Sequence, residues 1–292
     1  MIIVTGASGF IGYYLTKSLF KKGYKVIALF YSHKPYLKAI QSMQIDLTSR
    51  NAIKKLKDIK PTTIFHLAAL ANIDKAEQNH EYAKRLNRSV TQQLASLADE
   101  LNIPFIFFST DMVYSGNNAP YKESAIPHPI SIYGETKMQA EKYVLTLKKG
   151  IVIRTALVFG LHYKKSGNFF TWLIERLNMR KEVLSFTDQF RTPIAVDHLV
   201  QESIKAWENL VSGIFNLAGA RRISRYDFNI LVAKELKVNP FLIVKKNMED
   251  LPNLKIRPKD LTLNTEKANN AWGFTAQPPE IGIKNCLQNI QI

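Results

Sequence analysis

The segment that most constrains the fold is Thr5-Gly6-Ala7-Ser8-Gly9-Phe10-Ile11-Gly12. It stands between an apolar run, Ile2–Thr5, and a stretch in which Ile11, Leu15 and Leu19 fall four apart. The run reads as a buried strand and the stretch as a helix with one apolar face. Gly23 then stops that helix. Glycines let the backbone turn sharply and come close to a pyrophosphate, to which the helix N-terminus offers free N–H groups and partial positive charge. Three glycines at this spacing mean little alone, but between a strand and an amphipathic helix they are a strong signal. Gly6, Ser8, Gly9, Phe10, Ile11 and Gly12 are therefore the first cofactor-binding candidates.

The rest of the first half repeats the alternation. Strands are predicted at Lys25–Phe30, Met43–Ile45, Thr63–Leu67, Phe105–Ser109 and Ile151–Arg154. Helices are predicted near Gly9–Lys22, Asn51–Ile59, Tyr82–Leu101 and Gly134–Lys148. Apolar strands separated by helices imply a parallel sheet covered on both faces, the doubly wound α/β (Rossmann) arrangement. After Val158 the pattern loosens. Helices are predicted at Phe169–Leu177, Val196–Leu210 and Arg225–Leu236, and a strand at Gly213–Leu217. With no repeat and no low-complexity linker, the expectation is a dinucleotide-binding domain over 1–158, completed by about 194–218. A smaller, interleaved substrate lobe would take 159–193 and 219–292.

Composition narrows the function classes. The net charge is +16, but the lysines are scattered in pairs such as Lys21-Lys22, Lys148-Lys149 and Lys164-Lys165. A solvated basic surface explains them better than nucleic-acid binding. No apolar run approaches the roughly 20 residues that span a bilayer. The opening residues read as a strand and not as a signal peptide. The one cysteine, Cys286, excludes an internal disulfide and reads as a passive helix residue. These features suit a cytoplasmic protein. The six histidines show no metal-ligand spacing, so no metal site is expected. His66 reads as a hydrogen-bonded core residue, and Arg154 as a buried ion-pair partner.

The end of the second strand carries cofactor choice. Phe30-Tyr31-Ser32-His33-Lys34 holds no carboxylate to grip ribose hydroxyls. Ser32, His33 and Lys34 suit a 2′-phosphate, so NADP(H) is expected, with NAD(H) the alternative. Asp46 and Leu47 end the third strand; Asp46 reads either as an adenine-edge contact or as a helix cap. Thr110 follows the strand Phe105–Ser109, at the carboxyl end where active groups gather in such sheets. Tyr133 and Lys137 lie four apart, on one helix face. A free tyrosine, with pKa about 10, is a slow proton donor or acceptor at neutral pH. A neighbouring ammonium is expected to lower it. Thr110, Tyr133 and Lys137 are thus the catalytic candidates, Lys137 also holding the nicotinamide ribose.

The glycine turn and the Tyr133/Lys137 pair resemble the extended short-chain dehydrogenase/reductase superfamily. Ser109-Thr110-Asp111-Met112-Val113-Tyr114, Ile73-Asp74-Lys75-Ala76-Glu77 with Asn87 beyond, Asp188-Gln189-Phe190-Arg191 and Arg257-Pro258 are similar to the dTDP-4-dehydrorhamnose reductases. The resemblance runs nearly end to end. It implies NADPH-dependent reduction of a nucleotide-linked 4-keto-6-deoxy sugar, with a nucleotide-sugar substrate as partner and room for a homodimer. It also places Ala68 and Ala69 at the cofactor, and Asp111, Met112, Asn168, Arg191 and Arg257 at the substrate. Arg191 and Arg257 would face the diphosphate, and Phe159, Asn168 and Trp172 the base, the alternative for Trp172, at helical spacing from Phe169, being a core residue. Met112 and Arg191 depart from the reductase pattern, and His66-Leu67-Ala68-Ala69 is typical of sugar-nucleotide epimerases and dehydratases. The resemblance extends to the regulatory β subunit of methionine adenosyltransferase, so the rival readings are a sugar-nucleotide epimerase or dehydratase of the same superfamily and a non-catalytic NADP-binding subunit.

Overall fold

The computed structural model describes residues 1–164, 167–250 and 257–288. The chain opens as β1 (Ile2–Thr5), α1 (Phe10–Lys21), β2 (Val26–Phe30), β3 (Gln41–Gln44), α2 (Ala52–Asp58) and β4 (Thr63–His66). Next come α3 (Ile73–Gln78), α4 (His80–Ala83), α5 (Val90–Glu100), β5 (Phe105–Thr110), α6 (Ile132–Val144) and β6 (Gly150–Thr155). Beyond them lie β7 (Val158–Phe159), α7 (Phe169–Asn178), β8 (Val183–Phe186), β9 (Phe190–Arg191), β10 (Ile194–Ala195) and α8 (Val196–Glu208). The chain continues through β11 (Gly213–Leu217), β12 (Ile223–Ser224), α9 (Arg225–Glu235), β13 (Ile243–Lys246), α10 (Glu266–Trp272) and α11 (Pro279–Gln288).

Seven strands form one sheet in the order β11-β6-β5-β4-β1-β2-β3. From β3 across to β5 every pairing is parallel, with Ile3 opposite both Ile27 and Ile64. Strands β1, β4, β5 and β6 are buried throughout, which is why they read as unbroken apolar runs. The order in which strands are added reverses between the parallel neighbours β1 and β4, and their carboxyl ends flank the crevice where such sheets take ligands.

The chain divides into two compact units. The first comprises Met1–Tyr114, Ile126–Arg154 and Val200–Phe215. Its core includes Ile3, Ile27, Ile64, Leu94, Phe105 and Val152. The second comprises Ser115–Ala125, Thr155–Leu199 and Asn216–Ile292. Its core gathers Phe159, Phe170, Leu173, Phe228, Val232 and Ile283. Short pairings tie it: β7 with β10, β8 with β13, and β9 antiparallel to β12.

Three predicted elements differ. The strand expected at Met43–Ile45 runs over Gln41–Gln44, so Asp46 and Leu47 lie beyond its end. The helix expected over Tyr82–Leu101 is broken into α4, a π-helical turn at Lys84–Ser89, and α5. The turn lies around Asn87, whose side chain accepts from Leu70 N at 2.7 Å and donates to Thr136 Oγ1 at 3.0 Å. Such insertions into the helical ladder often mark functional sites. The helix expected at Gly134–Lys148 instead runs from Ile132 to Val144, capped by Ser131, whose hydroxyl accepts from Gly134 N. Tyr133 therefore lies in its first turn. No helix among the described residues is long and apolar enough to cross a membrane.

Candidate active site

The glycine turn forms as expected between β1 and α1. Gly6 has φ +65°, a left-handed conformation, and a Cβ there would lie 2.7 Å from Ala68 N. At Gly12 a Cβ would lie 2.2 Å from Gly6 O, so this glycine lets the helix pack against the turn itself. Thr5 fixes the facing loop: its hydroxyl accepts from Leu67 N and Ala68 N, both at 3.1 Å. Its own proton then goes to His66 Nδ1 at 2.7 Å. His66 Nε2 in turn donates to Thr91 Oγ1 at 3.0 Å, and Thr91 donates to Asn87 O at 2.6 Å. Burial, reinforced by the nearby Lys137 charge, pushes the His66 pKa down to about 3, so the ring is neutral. His66 is thus a hydrogen-bonded core residue that aligns the ends of β1 and β4.

A cavity of about 330 Å³ opens against this turn. Gly6, Ser8 and Gly9 line it, as do Ala68 and Ala69. Asp46 and Leu47 also line it, together with Tyr31, Tyr82 and Leu86, which the sequence reading missed. Those three are ordinary aromatic and apolar residues, and only the sheet and the packing of the π-helical turn bring them to the slot. A glycine floor with apolar walls fits the adenosine half of a dinucleotide. Phe10, Ile11 and Gly12 begin α1 and do not line the slot. Ser32 and His33 lie exposed beyond β2, hydrogen-bonded to each other at 2.8 Å. Asp46 does not cap a helix: its carboxylate accepts from Thr48 N and Thr48 Oγ1, closing a local turn.

Thr110, Asp111, Met112, Tyr133 and Lys137 come together at the carboxyl end of β5. Thr110 Oγ1 accepts from Met112 N and donates to Asp111, which starts a short 3-10 turn. Gly134 lets α6 approach that turn, since a Cβ there would meet Met112 O at 2.1 Å. Glu77 of α3 accepts from Ile132 N at 2.7 Å and so ties the start of α6. Lys137 is 2 % exposed, with Nζ 3.7 Å from the centre of the Phe107 ring.

One electrostatic expectation is overturned. Lys137 does not lower the tyrosine; burial and then the Asp111 carboxylate push the Tyr133 phenol up to about 12, against the Thr110 hydroxyl. Burial also lowers Lys137 to about 7, with Glu141 opposing. Desolvation disfavours both charged forms, the phenolate and the ammonium. The phenol is therefore fully protonated at neutral pH, the form a proton donor needs.

In the second unit several predicted substrate residues have structural roles. Asn168 caps α7, accepting from Thr171 N at 2.9 Å and donating to Gly160 O at 3.0 Å. Arg191 is 8 % exposed and donates to the carbonyls of Phe190, Pro258 and Lys259. Phe159 is core, packed between Phe170 and Phe228. Trp172 is 39 % exposed beneath the Arg176 guanidinium, so it is no core residue. Arg257 is half-buried. Among the described residues no cluster of potential metal ligands exists.

A parallel sheet in this order, a glycine turn after its first strand and a Thr110/Tyr133/Lys137 cluster define a dinucleotide-dependent oxidoreductase of the short-chain type. The comparisons agree. The chain belongs to the family described as RmlD substrate binding domain, which matches residues 1–292. It is 30% identical over 300 residues to the dTDP-4-dehydrorhamnose reductase of Aggregatibacter actinomycetemcomitans, covering 97% of each chain. It is 26% identical to the methionine adenosyltransferase 2 subunit beta of Xenopus laevis, over 98% of this chain and 86% of that one. Its fold is like that of the Bacillus anthracis dTDP-4-dehydrorhamnose reductase solved with NADP, with a TM-score of 0.86 at 23% identity. That alignment covers 99% of this chain and 98% of the other.

Proposed function

We propose that the chain reduces the C4 keto group of a nucleotide-linked 6-deoxy sugar, dTDP-4-dehydro-L-rhamnose, to give dTDP-L-rhamnose, using NADPH. The observation that carries this reading is the grouping of Thr110, protonated Tyr133 and buried Lys137 at one strand end. Bound NADPH supplies the hydride to C4. Tyr133 gives its proton to the carbonyl oxygen, so the ketone becomes an alcohol and the phenol a phenolate. Thr110 orients that oxygen by hydrogen bonding, and the Lys137 ammonium offsets the phenolate charge. Reductases of this name among the relatives support the substrate class. The absence of a carboxylate in Phe30-Tyr31-Ser32-His33-Lys34 supports NADPH.

The direct test follows NADPH oxidation with dTDP-4-dehydro-L-rhamnose and identifies dTDP-L-rhamnose as product. A preference for NADPH over NADH of at least tenfold in kcat/KM is expected; the reverse preference would overturn the cofactor assignment. A protein that binds NADPH, turns over no keto-sugar nucleotide and forms a stoichiometric complex with another enzyme would instead be a regulatory subunit. The likeness to a methionine adenosyltransferase subunit keeps that the second reading.

The glycine turn gives a separate expectation. Gly12→Ala places a methyl against Gly6 O, at 2.2 Å, where backbone must move. The dissociation constant for NADPH, followed by fluorescence titration, should rise at least tenfold. An unchanged constant would remove the turn from the cofactor site.

A further inference from the structure

The second unit holds a cation that no sequence motif picked out. Arg225 is the first residue of α9, directly after the Ser224 cap. Its backbone N–H donates to Gln189 O at 2.9 Å, extending the β9–β12 ladder in which Ile223 faces Arg191. In such a ladder positions 191, 223 and 225 share one face. Arg225 and Arg191 therefore stand as diagonal neighbours. The Arg225 guanidinium lies 3.6 Å from the centre of the Phe169 ring, a cation–π contact that fixes its plane. Among the described residues it makes no hydrogen bond and no ion pair.

Every other feature of this placement is unfavourable to a positive charge. The first turn of a helix carries the positive end of its dipole. The neighbouring side chain is a second guanidinium. The nearby carboxylates serve other groups: Asp227 accepts from the Ser224 hydroxyl at 2.6 Å, and Asp260 accepts from Arg222 at 2.6 Å. Burial and then Arg191 push the Arg225 pKa down to about 9. Arg191 spends its donors on the carbonyls of Phe190, Pro258 and Lys259, whereas Arg225 has its fork of donors to give. A half-buried cation kept in such surroundings is stability given up for binding.

We propose that Arg225, held flat against Phe169 and backed by Arg191, binds the diphosphate of the nucleotide-linked substrate. This rests on the reading of the chain as a nucleotide-sugar reductase, whose substrate has the diphosphate as its anionic group. Guanidinium matches phosphate oxygens with two parallel hydrogen bonds, and the anion cancels the repulsion between the two arginines. Arg225 is then the residue that separates diphosphate-linked sugars from neutral ones, and Arg191 is its buttress.

The test uses Arg225→Met in the full chain, which keeps an unbranched stem on Phe169 and removes the charge. Calorimetric titration with dTDP should show at least a tenfold weaker affinity. NADPH affinity should not change, and the urea midpoint should hold or rise, because an unpaired cation has been removed. A structural role would lower the midpoint, and either that result or an unchanged dTDP affinity overturns the proposal. A wild-type protein that binds no dTDP overturns it as well. The outcomes separate the two readings. If the wild type binds dTDP through Arg225 but reduces no keto sugar, the reductase reading fails and this site stands. If the wild type reduces dTDP-4-dehydro-L-rhamnose and Arg225→Met keeps its KM, the site fails and the reductase reading stands.

Discussion

Tyr133→Phe is expected to lower kcat/KM for keto-sugar reduction by roughly 10²–10⁴-fold, the usual contribution of a positioned proton donor. NADPH affinity should stay as it is, because the ring is kept and only the hydroxyl is lost. Stopped-flow oxidation of NADPH and a separate binding titration measure the two. The pH profile adds a second readout. With Tyr133 pushed up to about 12, the phenol keeps its proton across the assay range. Lys137, lowered to about 7, does not keep its own. The groups around Lys137 are Glu141 on its own helix, the neutral His66 from β4 and the Phe107 ring from β5. Reduction leaves a phenolate, which the ammonium stabilises, so kcat/KM should fall as pH rises through about 7. A limb near pH 10 instead, or wild-type turnover by the phenylalanine variant, would end the assignment. Stability moves the opposite way. Between about 7 and 10.5 the unfolded chain binds the Lys137 proton more tightly than the folded one. Folding free energy should therefore improve with rising pH across that window.

The sheet was legible because β1, β4, β5 and β6 are buried on both faces and so write themselves as apolar runs. The glycine turn was legible because backbone geometry demands a residue type there. Tyr133 and Lys137 were legible because a helix turns fixed spacing into proximity. What failed to show has physical reasons too. Two-residue strands such as β9 and β12 are too short to carry a period, so the ladder that sets Arg225 beside Arg191 left no pattern. Leu86 reaches the cavity at the glycine turn from a π-helical turn that periodicity reads as plain helix, and Tyr82 from α4 just before it. Glu77 and Asn87 belonged to family-like segments, but only the fold shows that one ties the start of α6 and the other bridges Leu70 to Thr136. The direction of the Tyr133 shift was misread because sequence shows a neighbouring lysine and does not show how dry the neighbourhood is.

Arg154→Met should cost about 3–5 kcal/mol of folding free energy, the usual result of removing one partner from a buried ion pair. Arg154 and Glu141 are each 2 % exposed and doubly bonded, Nε to Oε1 at 3.0 Å and Nη2 to Oε2 at 2.6 Å. Ser109 donates to Glu141 at 2.5 Å and Arg154 donates to the Tyr114 hydroxyl at 2.6 Å. Burial opposes the Arg154 charge, but Glu141 and Tyr114 outweigh it and leave the guanidinium pKa raised. The bare Glu141 carboxylate left by the single substitution has no comparable partner. A double variant, Glu141→Leu with Arg154→Met, should recover most of the loss, since apolar side chains can replace a buried pair at little cost. Urea unfolding of the three proteins decides this; a single variant within about 0.5 kcal/mol of wild type would show that the pair contributes little. The double variant also isolates what Glu141 does for the chemistry. Glu141 lies one turn from Lys137 and is what holds its pKa up against burial. A folded double variant should therefore lose its Lys137 charge at lower pH, moving the fall in kcat/KM below the wild-type position near 7. A purely structural pair would restore stability in the double variant and leave that fall where it was.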